Sequence, residues 1–247
     1  MTSLSTSAVP ATAAAAPTAP ASQAAWGPLL ASSLRAAVAL MLVAGVAYPL
    51  ATTGVAQLVL PHQANGSLIE RQGQVLGSNL IGQHFAGPQY FHGRPSATTA
   101  PDPQQPGASV AAPYNAGLSA ASNQGATSQG LADTVAARVV QYRADNGLAA
   151  DALVPVDAVT ASASGLDPHI SPANAQAQAA RVARVRQLPL EQVQALVTQA
   201  TEGRTLGLLG EPRVHVLRLN LALDDAQAAR PAGQATPAHD AAQAPKE

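Results

Sequence analysis

The residues of this chain with the chemistry to act are six histidines, one Ser–Asp–His cluster and a scatter of arginines. His62, His84, His92, His169, His215 and His239 are isolated in sequence, and no two fall at i,i+4 on a predicted helix. Zinc sites usually show such close ligand pairs, so the pattern argues against a structural metal. Ser162, Ser164, Asp167 and His169 are the right types for serine hydrolysis. However, no G-x-S-x-G elbow is present, and triads form from residues brought together by the fold. The plainer reading is a loop whose Ser and Asp side chains satisfy backbone N–H groups, with Gly165 supplying a positive φ.

Phosphate chemistry is equally unsupported. There is no G-x-x-x-x-G-K-[ST] or G-x-G-x-x-G motif, and the only lysine is Lys246, so tight independent nucleotide binding is not expected. The net charge is −1 with no basic stripe, which argues against nucleic acid as a partner. The absence of cysteine excludes disulfides, thiolate metal sites and a Cys nucleophile.

The element that must position everything else is an uncharged run from Ala36 to Leu60. About 20 helical residues cross a hydrocarbon core, and this run exceeds a signal-peptide core, so a retained transmembrane helix over 34–60 is expected. Arg35 precedes the span, while the first charges after it are Glu70 and Arg71. The positive-inside rule then places the N-terminus in the cytoplasm and the rest of the chain outside. Pro49 is expected to kink the helix by leaving the Gly45 carbonyl unpaired. Ala44, Ala47, Ala51 and Gly54 form a small-residue face suited to close helix packing.

Residues 1–33 are rich in Ala, Pro, Ser and Thr, and are expected to be disordered, as is a tail over 226–247. Between them, residues 61–225 form one α+β domain of ordinary size. The pattern predicts a bent hairpin over Ser67–Phe85 turning at Gln72-Gly73, and a proline-marked loop from Thr98 to Ala112. Helices are predicted over Leu131–Asn146, from Ser171-Pro172 to about Gln187, and from Pro189 to Gly203. Strands are predicted near Val154–Thr160 and over Val214–Leu223, the latter with a phase slip between Val216 and Leu217.

Three loop-rich segments remain: GSNLIGQHF from Gly77 leading into YFHGRPSAT from Tyr90, TASASGLDPHISP from Thr160, and LGEPRVHVLRLNLALD from Leu209. Arg94, Arg181 and Arg213 within or between them are suited to pair with carboxylates. With AYPLATTGVAQLVLPHQANGSLI (Ala47 to Ile69), these segments in this order resemble the C subunit of the bacterial Kdp potassium-transporting ATPase. The likeness runs to about Asp224, roughly three quarters of the chain. The chain departs from the family pattern in its N-terminal extension and its longer tail. It also differs in a loop where Ala120-Ala121-Ser122-Asn123 and Ser128-Gln129-Gly130 replace Gly-Gly-Ser-Asn and Ser-Asn-Pro.

The resemblance implies a non-catalytic subunit of an ATP-driven potassium importer, anchored in the bacterial inner membrane by one helix with its domain on the periplasmic face. It implies two partners, a potassium-conducting A subunit and an ATP-hydrolysing B subunit of the P-type class. ATP, Mg2+ and K+ then act through those subunits, with no cofactor held tightly by this chain. The implied roles are assembly of the complex and a raised ATP affinity of the B subunit. Arg94, Ser164, Gly165, Asp167, His169 and Arg213 are the candidate subunit-contact residues. A membrane-anchored periplasmic hydrolase built on Ser162, Ser164 and His169 is the alternative. A free-standing binding protein is disfavoured, because only 3% of residues are aromatic and a ligand pocket needs such walls.

Overall fold

A computed structural model describes residues 26–229. The chain divides into two units between Val59 and Leu60. The fold is α+β: one N-terminal apolar helix, then a mixed domain with small antiparallel sheets.

The apolar helix runs over Trp26–Val59, 34 residues, or about 51 Å at 1.5 Å per residue. It consists of α1 (Trp26–Leu42), a wider π turn (Val43–Ala47) and α2 (Tyr48–Val59). The chain is already helical at Trp26, so the expected boundary at 34 moves back. Pro28 is compatible with that position, because N–H groups in a first turn have no helical partner. Residues 1–25, the bulk of the expected disordered extension, lie outside the described residues, as do 230–247. Pro49 acts through a π turn: the Tyr48 N–H reaches back five residues to the Val43 carbonyl, widening the helix just before the ring. Downstream, the Thr52 hydroxyl donates to the carbonyls of Tyr48 and Pro49 at 2.9 and 3.0 Å. One extra residue in a turn rotates what precedes it by about 100°. Ala51 and Gly54 lie in α2, while Ala44 and Ala47 lie within the π turn itself.

The second unit opens with α3 (Pro61–Ala64) and the hairpin of β1 (Leu68–Arg71) and β2 (Gln74–Ser78). Gln72 and Gly73 make its turn, both at positive φ, which the hairpin twist requires. The register slips between Ile69 and Glu70, leaving Leu76 as the extra residue of a bulge. Leu80–Ile81 are not strand. The expected loop over Thr98–Ala112 instead closes as a hairpin of β3 (Thr99–Pro101) and β4 (Ser109–Ala111). Its prolines occupy the tip and one strand end, where no ladder donor is needed.

Helix α4 (Gln129–Asn146) ends on Gly147 at φ 65, the left-handed cap that glycine favours. The strand expected at Val154–Thr160 is instead one helical turn, α5 (Val156–Val159). Pro155 opens that turn, and the Thr160 hydroxyl closes it on the Val156 carbonyl at 2.7 Å. Helix α6 (Pro172–Arg186) is capped by Ser171, whose hydroxyl accepts from the Asn174 N–H. Helix α7 (Leu190–Gln199) follows. A three-stranded sheet has the order β5 (His169–Ile170), β7 (Arg213–His215), β6 (Thr201–Glu202), all antiparallel.

The strand expected over Val214–Leu223 is only β7, which passes directly into α8 (Val216–Ala228). The phase slip after Val216 is this change of period. Val216, Leu219, Asn220 and Leu223 are buried at spacings of three, one and three, the mark of a helix face. The same helix carries 226–228, which were expected to belong to the tail. The core lies among α6, α7, β7 and α8, with Val182, Val193, Val197, Val214, Leu219 and Leu223 around a fully buried Phe91.

Candidate subunit-contact site

Phe91 belongs to a stretch, Gly87–Gly93, that has no ladder of its own, so its backbone groups need other partners. Side chains from α6 and α8 supply them in succession. Arg181 donates to the carbonyls of Pro88 and Tyr90, and Arg186 donates to that of Gln89. Asn220 pairs with both backbone groups of Phe91, and Gln178 with both of His92. Arg186 also lies over the Tyr90 ring, 4.9 Å from its centroid, and pairs with Asp224 at 2.8 Å. Arg181, by contrast, has no carboxylate; its remaining partners are Asn146 and Gln178. The anticipated ion pairing thus occurs for Arg94 and Arg213 and is replaced at Arg181 by neutral acceptors.

This clamped stretch delivers Arg94 to the loop that precedes β5. Arg94 donates to Asp167 at 3.2 Å and to the carbonyls of Thr160 and Ala161. Asp167 also accepts the His169 N–H at 3.0 Å, and the His169 ring lies 3.4 Å from the same carboxylate. Burial alone would raise the Asp167 pKa, but hydrogen bonds from the His169 ring and backbone and the Arg94 charge hold it below the usual carboxylate value. Across the sheet, Glu202 receives Arg213 at 3.0 Å, Arg218 at 3.5 Å and approaches His169 at 3.9 Å. Arg94, Asp167, His169 and Arg213 therefore line one open depression of about 390 Å³ together with Asp157, Ile170, Ser171, Glu211 and Pro212. Ser164 and Gly165 do not line it; Ser164, on the loop that carries Asp167, lines a separate depression with Arg94 and Asp167.

The acidic groups there are already engaged. Asp157 accepts from the Ser171 N–H and hydroxyl and from Asn174, and Glu211 pairs with Arg204. The hydrolase constellation does not assemble. The Ser164 hydroxyl accepts the Leu166 N–H at 3.1 Å, while His169 faces Asp167, Glu202 and His215. Gly165 adopts φ +68, and its carbonyl accepts the Ser96 hydroxyl at 2.7 Å. Ser96 in turn accepts the Tyr114 N–H, and burial raises the Tyr114 phenol to about 12. Among the described residues, no three His, Asp or Glu side chains group to hold a metal.

His215 is the residue whose importance the spacing concealed. It pairs with His169 across the β5–β7 ladder, the two rings edge to face at 5.2 Å. Its Nδ1 accepts the Arg218 N–H, capping α8, so Nε2 carries the proton and donates to the Asn79 carbonyl at 3.0 Å. Burial lowers the His215 pKa, as it does that of His92. A base that binds its proton less readily when folded leaves stability intact above the unfolded value, about 6.5, and loses it as pH falls below that. Urea unfolding is therefore expected to show lower stability at pH 5.5 than at pH 7.5. His215→Asn, which keeps a cap and a donor, is expected to flatten that difference, leaving the part due to His92.

The fold thus joins one helix long and apolar enough to cross a membrane to an α+β domain with a charged loop depression. A family model described as "K+-transporting ATPase, c chain" matches residues 30–225, covering most of the anchor and the domain together. A potassium-transporting ATPase KdpC subunit of Methylobacterium nodulans is 57% identical over 188 residues, 76% of this chain and 92% of its own. The subunit of the same name from Bradyrhizobium diazoefficiens is 57% identical over 199 residues, 79% of this chain and 98% of its own. That from Rhodopseudomonas palustris is 54% identical over 189 residues, 76% and 92% of the two chains. The chain belongs to the KdpC family of potassium-transporting ATPase subunits.

Proposed function

We propose that this chain is the non-catalytic accessory subunit of a high-affinity, ATP-driven potassium uptake complex. In this reading it assembles with a potassium-conducting A subunit and an ATP-hydrolysing B subunit of the P-type class. The observation that carries the reading is that the family match spans anchor and domain at once, with relatives matched over nearly their whole length. The anchor crosses the inner membrane with its N-terminus in the cytoplasm, and the domain caps the potassium entrance from outside. ATP, Mg2+ and K+ act in the sister subunits.

The chain stabilises the assembly and raises the ATP affinity of the B subunit. A domain on the outer face cannot touch a cytoplasmic nucleotide, so that effect must pass through a conformational equilibrium of the complex. The test is the KM for ATP of the purified complex with this chain intact and with Arg94→Ala plus Asp167→Asn. An increase in KM with kcat retained is expected. An unchanged KM in a complex that still contains the variant would remove the affinity role. The hydrolase alternative loses its basis, because neither Ser162 nor Ser164 engages His169. Hydrolysis by the intact chain that Ser164→Ala or His169→Ala abolished would restore it.

A further inference from the structure

Between β6 and β7 the chain makes a ten-residue excursion, 203–212, whose tip carries Leu206, Leu208 and Leu209. These are 87%, 82% and 64% exposed. The excursion is nonetheless ordered by its own backbone. The Thr205 N–H donates to the Leu209 carbonyl at 2.9 Å, and the Leu209 N–H returns a bond to Thr205 at 3.0 Å. At its base Arg204 holds Glu211 through both carboxylate oxygens, and Glu202 pairs with Arg213.

Two features have no benefit to the domain alone. Three leucines within four residues face solvent, a concentration of apolar surface that marks an interaction site. Leu206 also holds φ +54, a left-handed conformation that Gly or Asn adopts readily and a bulky side chain resists. Strain of this kind persists where function requires it. The chemistry of the tip selects among occupants. Elements that rest in a lipid interface set their apolar side chains beside Lys, Arg, Trp or Tyr. This tip has none, and the two cations at its base, Arg204 and Arg213, are paired with Glu211 and Glu202.

We propose that this leucine-tipped loop is a preformed plug that enters an uncharged, aliphatic socket on a sister subunit of the transport complex. The proposal rests on the subunit reading above. Because the plug is ordered before it docks, association incurs little ordering cost.

Two experiments on the full chain in membranes that express the complex test it. With a benzophenone-bearing residue at position 208, illumination is expected to join the chain to a sister subunit. An adduct with lipid alone, or with a second copy of this chain, would overturn the proposal. The second experiment uses Leu206→Asn, which relieves the backbone while removing an apolar contact. The domain is expected to melt at the same or a higher temperature, while retention of the sister subunits falls about tenfold, as for loss of a central interface side chain. Undiminished retention, or a lowered melting temperature showing a structural role for Leu206, would overturn it. If the unsubstituted chain retains no partner, the subunit reading itself fails and the proposal with it.

Discussion

Replacing Arg181 with alanine is expected to bring the domain to the edge of unfolding. Arg181 is 3% exposed, and its guanidinium donates to the carbonyls of Pro88 and Tyr90 and to the side chains of Asn146 and Gln178. Burial pulls its pKa below the usual arginine value, with Tyr142 and Asp145 opposing. Truncation strands three acceptors, since the Gln178 oxygen keeps the His92 N–H, in a site that water cannot easily fill, at about 3–5 kcal/mol in all. Whole domains are stable by only about 5–15 kcal/mol. Lysine is not expected to rescue, because one ammonium cannot reproduce a planar fork of five donors. Urea unfolding of the domain measures the effect, and a loss below about 1 kcal/mol would mean that Arg181 does not organise the Gly87–Gly93 stretch. The loss should also release Arg94, since that stretch leads directly to it.

Gly165→Ala is the second large effect expected. The residue sits at φ +68, and a methyl group there would lie 2.7 Å from both the Ala120 carbonyl oxygen and the Thr98 Cγ2. The carbonyl is held in place by the segment behind it, where the Ala120 N–H bonds the Ser164 carbonyl at 2.9 Å. Backbone strain and overpacking together should cost about 2–4 kcal/mol. Gly107→Ala is the matched comparison, because Gly107 has φ +89 with open space around it. It should lose about 1 kcal/mol, the conformational part alone. Equal losses at the two positions would show that crowding at Gly165 is not the cause.

Local signals carried much of the fold. Gly147 stops α4, Ser171-Pro172 starts α6, and Gln72-Gly73 turns the first hairpin, each through chemistry confined to a few residues. The failures share one physical origin. The run from Val214 to Leu223 alternates apolar and polar residues, yet it also places Val216, Leu219 and Leu223 on a helical face. What decides between them is tertiary: β7 pairs on both sides, and His215, an unusual cap, starts α8. At Val154–Thr160 a strand was expected, but the Asp157 carboxylate bonds Ser171 and Asn174 and so holds a helical turn against α6.

The residues that share the charged depression were legible in their loops and not in their partners. Arg94, Asp167, His169 and Arg213 stand out by residue type and by their Gly- and Pro-rich settings. Glu202, Asn79 and His215 join them only because the sheet order β5–β7–β6 brings distant segments together. Arg181 was recognisable as a candidate to pair with carboxylates, but its partners are main-chain carbonyls and two side-chain amides, which no residue pattern can reveal.

The most direct test of the account is purification of the tagged full-length chain from potassium-starved membranes, with ATP hydrolysis assayed in the eluate. Recovery of two larger partner chains with potassium-stimulated ATPase activity is the predicted result. A chain that elutes alone from membranes containing both partners would contradict it.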